Sequence, residues 1–191
     1  MWDQFGLDES AVLAYLPMFH IYGLLLVLNS ARRGKKLVVI PRFLPDLFCS
    51  AMETHKVATL FSVPPICLFL VNSPLPRQYD LSSMTFVICG AAPMGEDTEL
   101  TLKKQYNTVI SQGWGMTETT GVGTLPIRGQ KGGSVGKVFG GSEMKIVDAD
   151  SGRTLQPDGM LTAQLHRSWM QTAAGRCSQG SRVNCGPGVL T

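Results

Sequence analysis

Residues 85–111 read TFVICGAAPMGEDTELTLKKQYNTVIS. The run Thr85–Cys89 is rich in β-branched and aromatic residues and predicts a strand. Glu96–Tyr106 predicts an exposed helix, because acids occupy its first turn and lysines its last. Thr108–Ser111 has strand character again. A strand, a helix and a second strand in this order are the unit from which parallel sheets are built, so the stretch predicts an α/β fold.

The chain before this unit alternates in the same way, with Pro, Gly and Asn between the segments. The predicted strands are Ala11–Pro17, Leu37–Ile40 and Val57–Val63, and the predicted helices are Tyr22–Arg33, which we expect to be mostly buried, Pro45–His55 and Pro65–Asn72. Apolar residues among glycines from Ser134 to Asp150 predict short strands. The fold class is therefore α/β, with a parallel sheet, flanking helices and a separate β layer that starts after about residue 134.

The charge of the chain argues against a nucleic-acid-binding protein. The sequence has 17 Lys and Arg against 14 Asp and Glu, a net charge of +3, and residues 1–150 carry 13 of each sign. A basic footprint needs Lys and Arg clustered on one face. No run approaches the roughly 18 apolar residues of a membrane span, so we expect a soluble protein. The acidic first ten residues are unlike a leader peptide, which makes the cytosol the default location.

The last 41 residues differ from the rest of the chain. Residues 151–191 lack Lys, Ile, Phe and Tyr, and such a composition can bury little apolar surface. We therefore expect a domain over residues 1–150 and a divergent, unstructured tail over residues 151–191. The five cysteines form no C-x-x-C pair, and Cys49, Cys67 and Cys89 lie in apolar runs, which predicts buried reduced thiols.

Ligands of parallel sheets bind beyond the carboxyl ends of the strands, which directs attention to the loops after Leu16, Cys89 and Ser111. The first loop reads LPMFHIYG and contains His20 and Tyr22. His20 could contact a carboxylate in a pocket that Tyr22 lines. The alternative is a core histidine that hydrogen-bonds to the backbone.

The other two loops are rich in small residues. Residues 89–95, CGAAPMG, would let a flat ring or a phosphate approach the backbone, or they form an ordinary strand-to-helix turn. Residues 112–121, QGWGMTETTG, combine glycines, hydroxyls and one carboxylate. This composition suits phosphate oxygens, with Glu118 as a ligand of Mg²⁺. A helix cap formed by Thr117 and Thr120 is the alternative.

These motifs occur in a familiar order along the chain. LPMFHIYG, VPP at Val63–Pro65, YDLSSM at Tyr79–Met84, GAAPMG, QGWGMTETTG, GSVGKV and EMKIVD at Glu143–Asp148 follow one another. The order resembles the adenylate-forming (AMP-binding) acyl-CoA synthetases, and the sequence is most similar to plant 4-coumarate:CoA ligases and their relatives in phenylpropanoid metabolism. The resemblance covers nearly all of the first 150 residues and implies the central part of an AMP-binding domain.

The resemblance also implies a set of site residues, of which His20, Thr117 and Glu118 would be catalytic. On the acyl side, His20 would contact the acyl carboxylate, Tyr22 would line the acyl pocket, and Gln112, Gly113 and Trp114 would form the floor between adenine and acyl group. On the nucleotide side, Gly90, Ala91 and Ala92 would adjoin the adenylate, Thr117 would bind the α-phosphate, Glu118 would bind the Mg²⁺, and Leu125 would extend the pocket toward the nucleotide. Arg42 would contact coenzyme A. A tyrosine is usual in this family where Trp114 stands.

The implied activity is an acid-thiol ligase that uses ATP, Mg²⁺ and coenzyme A, with a cinnamate or 4-coumarate as the acid. Family members also carry a Pro-Lys-Gly phosphate loop upstream and a catalytic Lys downstream, and neither segment is found in these 191 residues. We therefore expect a truncated ligase of reduced or no activity, with a tail read in another frame. The alternatives are a non-catalytic nucleotide-binding or interaction protein and an unstable fragment. The ending Val-Leu-Thr is not a peroxisomal Ser-Lys-Leu signal.

Overall fold

The fold is that of a computed structural model, which describes residues 11–130, 132–140, 142–147, 151, 153–155 and 163–164. Helices and strands alternate from Val12 to Gln112, as the sequence predicts. They are β1 (Val12–Ala14), α1 (Ile21–Arg33), β2 (Leu37–Val39), α2 (Pro45–Thr54), β3 (Thr59–Ser62), α3 (Pro64–Asn72), β4 (Phe86–Cys89), α4 (Glu96–Tyr106) and β5 (Val109–Gln112). Most predicted boundaries differ from these by one or two residues, although β1 is shorter than predicted.

The strands form parallel sheets with helices packed on them, which confirms the predicted fold class. β3, β4 and β5 form a three-stranded parallel sheet in that order, and β1 pairs in parallel with β2. The two sheets are joined through Tyr15, whose hydroxyl donates to the carbonyl oxygen of Phe61 at 2.9 Å. The central sheet is buried, and its largest fully buried side chains include Phe61 and Phe86.

Local sequence signals account for the helix ends. α2 and α3 start at Pro45 and Pro64, where a proline lacks only a hydrogen bond that the first turn cannot make. α1 ends at Gly34, which adopts φ 62, a left-handed conformation that glycine adopts without strain. Acidic residues in the first turn of α4 and Lys103 and Lys104 in its last complement the helix dipole.

One expectation about α1 is wrong. The helix was predicted to be mostly buried, but only Gly23, Leu26, Asn29 and Ser30 are buried, while Leu28 is 56% exposed. A helix that packs against a sheet on one side buries one stripe, and the apolar residues of α1 continue past that stripe. No helix in the described part of the chain is long and apolar enough to cross a bilayer.

Short antiparallel strands follow the parallel sheets. They are β6 (Thr124–Leu125), β7 (Lys137–Val138), β8 (Lys145–Val147), β9 (Thr154–Leu155) and β10 (Ala163–Gln164). β6 pairs with β7, and β8 lies between β9 and β10. The predicted β layer is thus present, and it begins with β6, about ten residues earlier than expected. β9 and β10 lie in the segment predicted to be an unstructured tail, so paired backbone continues past residue 150. The rest of that prediction falls mostly on residues 152, 156–162 and 165–191, which are outside the described residues.

Candidate functional site

A cavity of about 330 Å³ opens where β3, β4 and β5 end. Its walls come from the start of α1, from the loop after β4 and from the turn between β5 and β6. The strands are parallel, so these loops meet at one edge of the sheet. Most of the predicted site residues lie on the wall: His20, Tyr22, Gly90, Ala91, Gly113, Trp114, Thr117, Glu118 and Leu125.

His20 is exposed at the cavity wall and caps the N-terminus of α1. Its Nδ1 accepts a hydrogen bond from the backbone N–H of Tyr22 at 3.1 Å. An Nδ1 that accepts places the hydrogen of the neutral ring on Nε2. The alternative is thus wrong about burial, because His20 is exposed, but right about a hydrogen bond to the backbone; the ring presents an N–H donor beside the cavity.

Tyr22 contributes its ring to the cavity while its hydroxyl is engaged in the protein. The hydroxyl donates to the carbonyl oxygen of Ile88 at 3.0 Å, and burial raises the pKa of this phenol well above its usual range. A Cβ added at Gly90 would lie 3.4 Å from the Tyr22 ring. Gly90 therefore lets the ring and the loop after β4 pack closely, and Tyr22 acts as a neutral aromatic wall.

The loop after β4 turns sharply at Ala91, whose φ is 70. Non-glycine residues rarely adopt this left-handed conformation. The loop is also the connection from β4 to α4, so both readings of the segment, a turn and a cavity wall, describe it. Ala91 lines the cavity, whereas its exposed neighbour Ala92 does not.

Gln112 lies elsewhere than the sequence suggests. It is the last residue of β5, and its side chain is buried under the loop after β4, where it hydrogen-bonds to both backbone groups of Met94. Successive strand residues point to opposite faces, so Gln112 shares the face of the buried Ile110. Gln112 is not among the residues that line the cavity.

Trp114 is held by a short strand that the sequence analysis did not single out. Its backbone N–H donates to the hydroxyl of Thr124 at 2.9 Å, and its carbonyl accepts from the Thr124 N–H at 2.8 Å. A Cβ at Gly123 would lie 2.3 Å from the indole ring. The ring thus packs directly on the backbone of Gly123, and only this contact, rather than any local sequence signal, identifies Gly123 and Thr124 as part of the site.

The turn after Trp114 presents Thr117 and Glu118 to the cavity. Residues Thr117–Thr119 form one 3₁₀ turn, in which the Thr119 hydroxyl accepts from the Met116 N–H at 3.1 Å and donates to the Met116 carbonyl at 2.9 Å. The capping hydroxyl is therefore that of Thr119, not the predicted Thr117 and Thr120. Thr117 and Glu118 are exposed on the cavity wall.

The donor set of the cavity fits one mode of metal binding. The described residues contain no group of three or more His, Cys, Asp or Glu side chains that could hold an ion by themselves. Mg²⁺ that accompanies a nucleotide needs only one or two carboxylates, because water and phosphate oxygens complete its shell. Glu118 beside the Thr117 hydroxyl fits this mode.

Much of the remaining cavity wall is apolar. Ile21, Leu25, Phe61, Ile88 and Val122 line it. Cys89 also lies there; the neighbouring Cys67 thiol and burial raise its pKa, so it is a neutral thiol. Cys49, Cys67 and Cys89 are buried free thiols, as predicted. Phe61 and Ile88 lie in two of the predicted strands, but no strand pattern indicates that they line a cavity.

Arg42 is separate from this cavity. It follows β2 on an exposed segment and does not line the cavity wall. Arg42, Ala92 and Gln112 are thus the predicted site residues that the structure does not place on the wall.

Comparison with proteins of known structure supports the fold. The N-terminal domain of FACL13 from Mycobacterium tuberculosis superposes with a TM-score of 0.67 at 30% identity, over 76% of this chain and 38% of that one. The o-succinylbenzoate coenzyme A synthetase of Bacillus subtilis, in a complex with ATP and magnesium ion, has a TM-score of 0.69 at 22% identity, over 82% of this chain and 32% of that one. At that identity the second likeness concerns the fold alone.

Comparison of sequences identifies the family. The 4-coumarate–CoA ligase-like 9 of Arabidopsis thaliana is 36% identical over 146 residues, which are 74% of this chain and 26% of the relative. The probable 4-coumarate–CoA ligase 3 of Dictyostelium discoideum is 35% identical over 151 residues, 77% of this chain and 27% of the relative. The chain thus spans about a quarter of the length of these relatives. A family profile described as AMP-binding enzyme matches residues 1–162, and the chain belongs to the family of AMP-binding enzymes.

Proposed function

We propose that this chain provides the acid- and nucleotide-binding site of an ATP-dependent acid:CoA ligase. The observation that carries the proposal is the meeting of the three motif loops around one cavity whose wall is partly polar and partly apolar. The wall presents an imidazole, a hydroxyl and a carboxylate together with several apolar side chains. Such a cavity suits a ligand that has a charged phosphate and an apolar acyl group.

The reaction has two steps. A carboxylate oxygen of the acid attacks the α-phosphorus of ATP, and the bond from that phosphorus to pyrophosphate breaks to leave an acyl-adenylate. The thiol sulfur of coenzyme A then attacks the acyl carbon, its proton is released, and AMP leaves. Positioning and neutralisation of developing charge supply most of the rate of such a step.

The residues have separate roles in this proposal. His20 donates from Nε2 to the acid carboxylate, and the Thr117 hydroxyl donates to the α-phosphate. Glu118 holds the Mg²⁺, which when bound neutralises phosphate charge. The backbone of Ala91 and Gly113 contacts the nucleotide. Ala92 and Gln112 support this backbone from outside the cavity wall, and Leu125 lines the nucleotide side of the cavity. Arg42 would meet coenzyme A from outside the cavity.

A cinnamate or 4-coumarate is the acid we propose. Tyr22, Phe61 and Trp114 contribute aromatic side chains to the cavity wall, and such side chains pack well on a flat conjugated ring. The names of the plant and Dictyostelium relatives agree with this class.

A second candidate is nucleotide binding without turnover. Among the described residues, the cavity wall includes no Lys or Arg that would hold the β- and γ-phosphates of ATP. Basic side chains neutralise the charge that develops on a leaving pyrophosphate. A cavity wall without them therefore favours the binding of AMP over the turnover of ATP.

One experiment separates the candidates. The purified chain is incubated with ATP, Mg²⁺, coenzyme A and a panel of cinnamic and fatty acids, and pyrophosphate release is followed; AMP binding is measured by calorimetry. Turnover supports the ligase, whereas AMP binding without turnover supports the second candidate. Absence of both in a protein that melts cooperatively contradicts the proposal.

Variants link the result to the cavity. Glu118→Gln should lower turnover by about 10²-fold or more, because the carboxylate that holds the cation is lost. Glu143→Gln neutralises an exposed carboxylate that does not line the cavity, and it should leave turnover unchanged. Equal effects of the two substitutions would contradict the role given to Glu118.

A further inference from the structure

Gln112 makes an unusually complete set of contacts for a side chain that does not line the cavity. Its Oε1 accepts from the Met94 N–H at 2.9 Å, and its Nε2 lies 3.3 Å from the Met94 carbonyl oxygen. Gln112 is only 5% exposed. A buried amide that binds both backbone groups of one residue fixes the position of that residue.

A buried carboxylate, paired with a partly exposed lysine, fixes the orientation of the amide. The Gln112 Nε2 also donates to Glu99 Oε2 at 3.4 Å, while Glu99 Oε1 accepts from Lys103 Nζ at 2.6 Å. Glu99 is 3% exposed, and a carboxylate accepts hydrogen bonds only. The nitrogen of the Gln112 amide must therefore face Glu99, which leaves its oxygen for Met94.

A second glutamine holds Gln112 itself. Gln130 donates from Nε2 to the Gln112 carbonyl oxygen at 2.9 Å and also to the Ser134 carbonyl, and its Oε1 accepts from the Ile127 N–H at 2.7 Å. The end of β5 is thus tied to the segment that follows β6, so Gln112 has little freedom to move away from Met94.

The segment that Gln112 holds is under strain. Ala91 has φ 70, and no glycine stands at that position. Such conformations persist when the surrounding structure over-determines them. The backbone of Cys89 and Gly90 is held in the sheet by hydrogen bonds to Gly113 and Ser62, and Met94 is held by Gln112, so the chain between them must turn at Ala91.

We propose that Gln112 is a positioning residue: its amide holds the loop from Ala91 to Met94 in the left-handed turn that presents Ala91 to the cavity, and so sets the affinity for the nucleotide. The effect on affinity rests on the proposed function, whereas the effect on the loop does not. Glu99 and Gln130 act by orienting Gln112.

The test replaces the amide and then relieves the strain. Gln112→Met has a similar shape but no amide, and we expect it to weaken AMP binding about ten-fold, because the binding-competent turn at Ala91 is less populated. Ala91→Gly in addition should restore the affinity to within about two- to three-fold of the parent, since glycine adopts a positive φ freely. A general loss of stability would not be reversed by that glycine.

The matched control is Gln105→Met. Gln105 also donates from Nε2 to a backbone carbonyl, that of Leu70 at 3.3 Å, but it lies on α4 and does not line the cavity. Its replacement should leave AMP affinity unchanged. Unchanged affinity in Gln112→Met, equal losses in both methionine variants, or no recovery with Ala91→Gly would overturn the proposal.

Amide hydrogen exchange gives a readout that needs no ligand. In Gln112→Met, the Met94 amide should exchange at least about ten-fold faster, relative to amides of β4, than in the parent. If the parent does not bind AMP, the proposed function fails, and this exchange still decides the positioning role: faster exchange supports it and unchanged exchange overturns it. Where Gln112→Met does not melt cooperatively, Gln112→Asn is used instead; its shorter uncharged amide cannot reach both backbone groups of Met94 as Gln112 does, and it should shift both readouts in the same direction by less.

Discussion

At the scale of single residues, the site depends on positions where a side chain would not fit. The indole of Trp114 is in direct contact with the backbone of Gly123. The hydroxyl of Thr124 accepts a hydrogen bond from the Trp114 N–H, which joins the segment after β5 to β6. An aromatic ring can pack this closely only on a residue that has no Cβ. The glycines of this region therefore determine where Trp114 stands.

Gly123→Ala should displace Trp114. The added Cβ would lie 2.3 Å from the ring, so the ring or the backbone of Gly123 must shift. We expect AMP affinity to fall several-fold and the tryptophan emission to shift. Gly140→Ala is the control, because a Cβ there meets nothing within 4 Å; equal changes in both variants would contradict the contact.

At the scale of elements, α1 combines structural and functional roles. His20 caps it, Tyr22 of its first turn is bonded to β4, and its buried stripe packs toward the sheet. The helix thus carries two site residues because its first turn is held at the edge of the sheet where β4 ends.

Leu26→Ala and Leu28→Ala should differ strongly although both residues lie in α1. Leu26 is 1% exposed and its truncation leaves a cavity, which destabilises a protein by about 2–5 kcal/mol. Leu28 is 56% exposed, so its truncation should change the free energy of unfolding by less than about 0.5 kcal/mol. Chemical denaturation of the two variants measures both values, and similar losses would contradict the packing of α1.

An exposed ion pair connects the segment after α2 with the segment before β4, and it should make stability depend on pH. Lys56 Nζ lies 2.8 Å from Asp80 Oδ2. Hydrogen bonds from Lys56 and Ser82 lower the pKa of Asp80, and the hydrogen bond to Asp80 raises the pKa of Lys56.

The dependence of stability on pH has opposite signs on the acidic and the basic side of the curve. The contribution of Asp80 is present above its unfolded pKa of about 3.9 and is lost as the pH falls through the lower folded value. The contribution of Lys56 is present below its unfolded pKa of about 10.4 and is lost as the pH rises through the higher folded value. Asp80→Asn should flatten both limbs of the melting temperature measured against pH; limbs as steep as in the parent would show that other groups cause them.

At the scale of the whole molecule, two parallel sheets form one core. Tyr15 joins them by its hydrogen bond to Phe61, and it also packs edge-on against Phe48 with ring centroids 5.0 Å apart. Burial raises the pKa of Tyr15 above its usual range, so this hydroxyl remains a donor at all ordinary pH values.

Tyr15→Phe should lower the free energy of unfolding by about 1–2 kcal/mol, because the ring packing is kept while a buried carbonyl loses its donor. Tyr79→Phe removes a hydroxyl that lies 3.4 Å from the exposed Asp46 and should have a smaller effect. Thermal or urea unfolding of both variants gives the comparison. A loss in Tyr79→Phe as large as that in Tyr15→Phe would contradict the role of Tyr15 as the connection between the sheets.

The sequence by itself determined the α/β class, most element boundaries and the three loops that meet at the cavity. These depend on neighbours in the chain: β-branched runs form strands, and Pro and Gly mark the ends of helices. Only the tertiary structure decided that His20 caps α1 instead of entering the core, that Gln112 turns under the loop after β4, and that Gly123 supports Trp114. The direction of a side chain at the end of a strand depends on contacts with residues far away in the sequence, which no local pattern records.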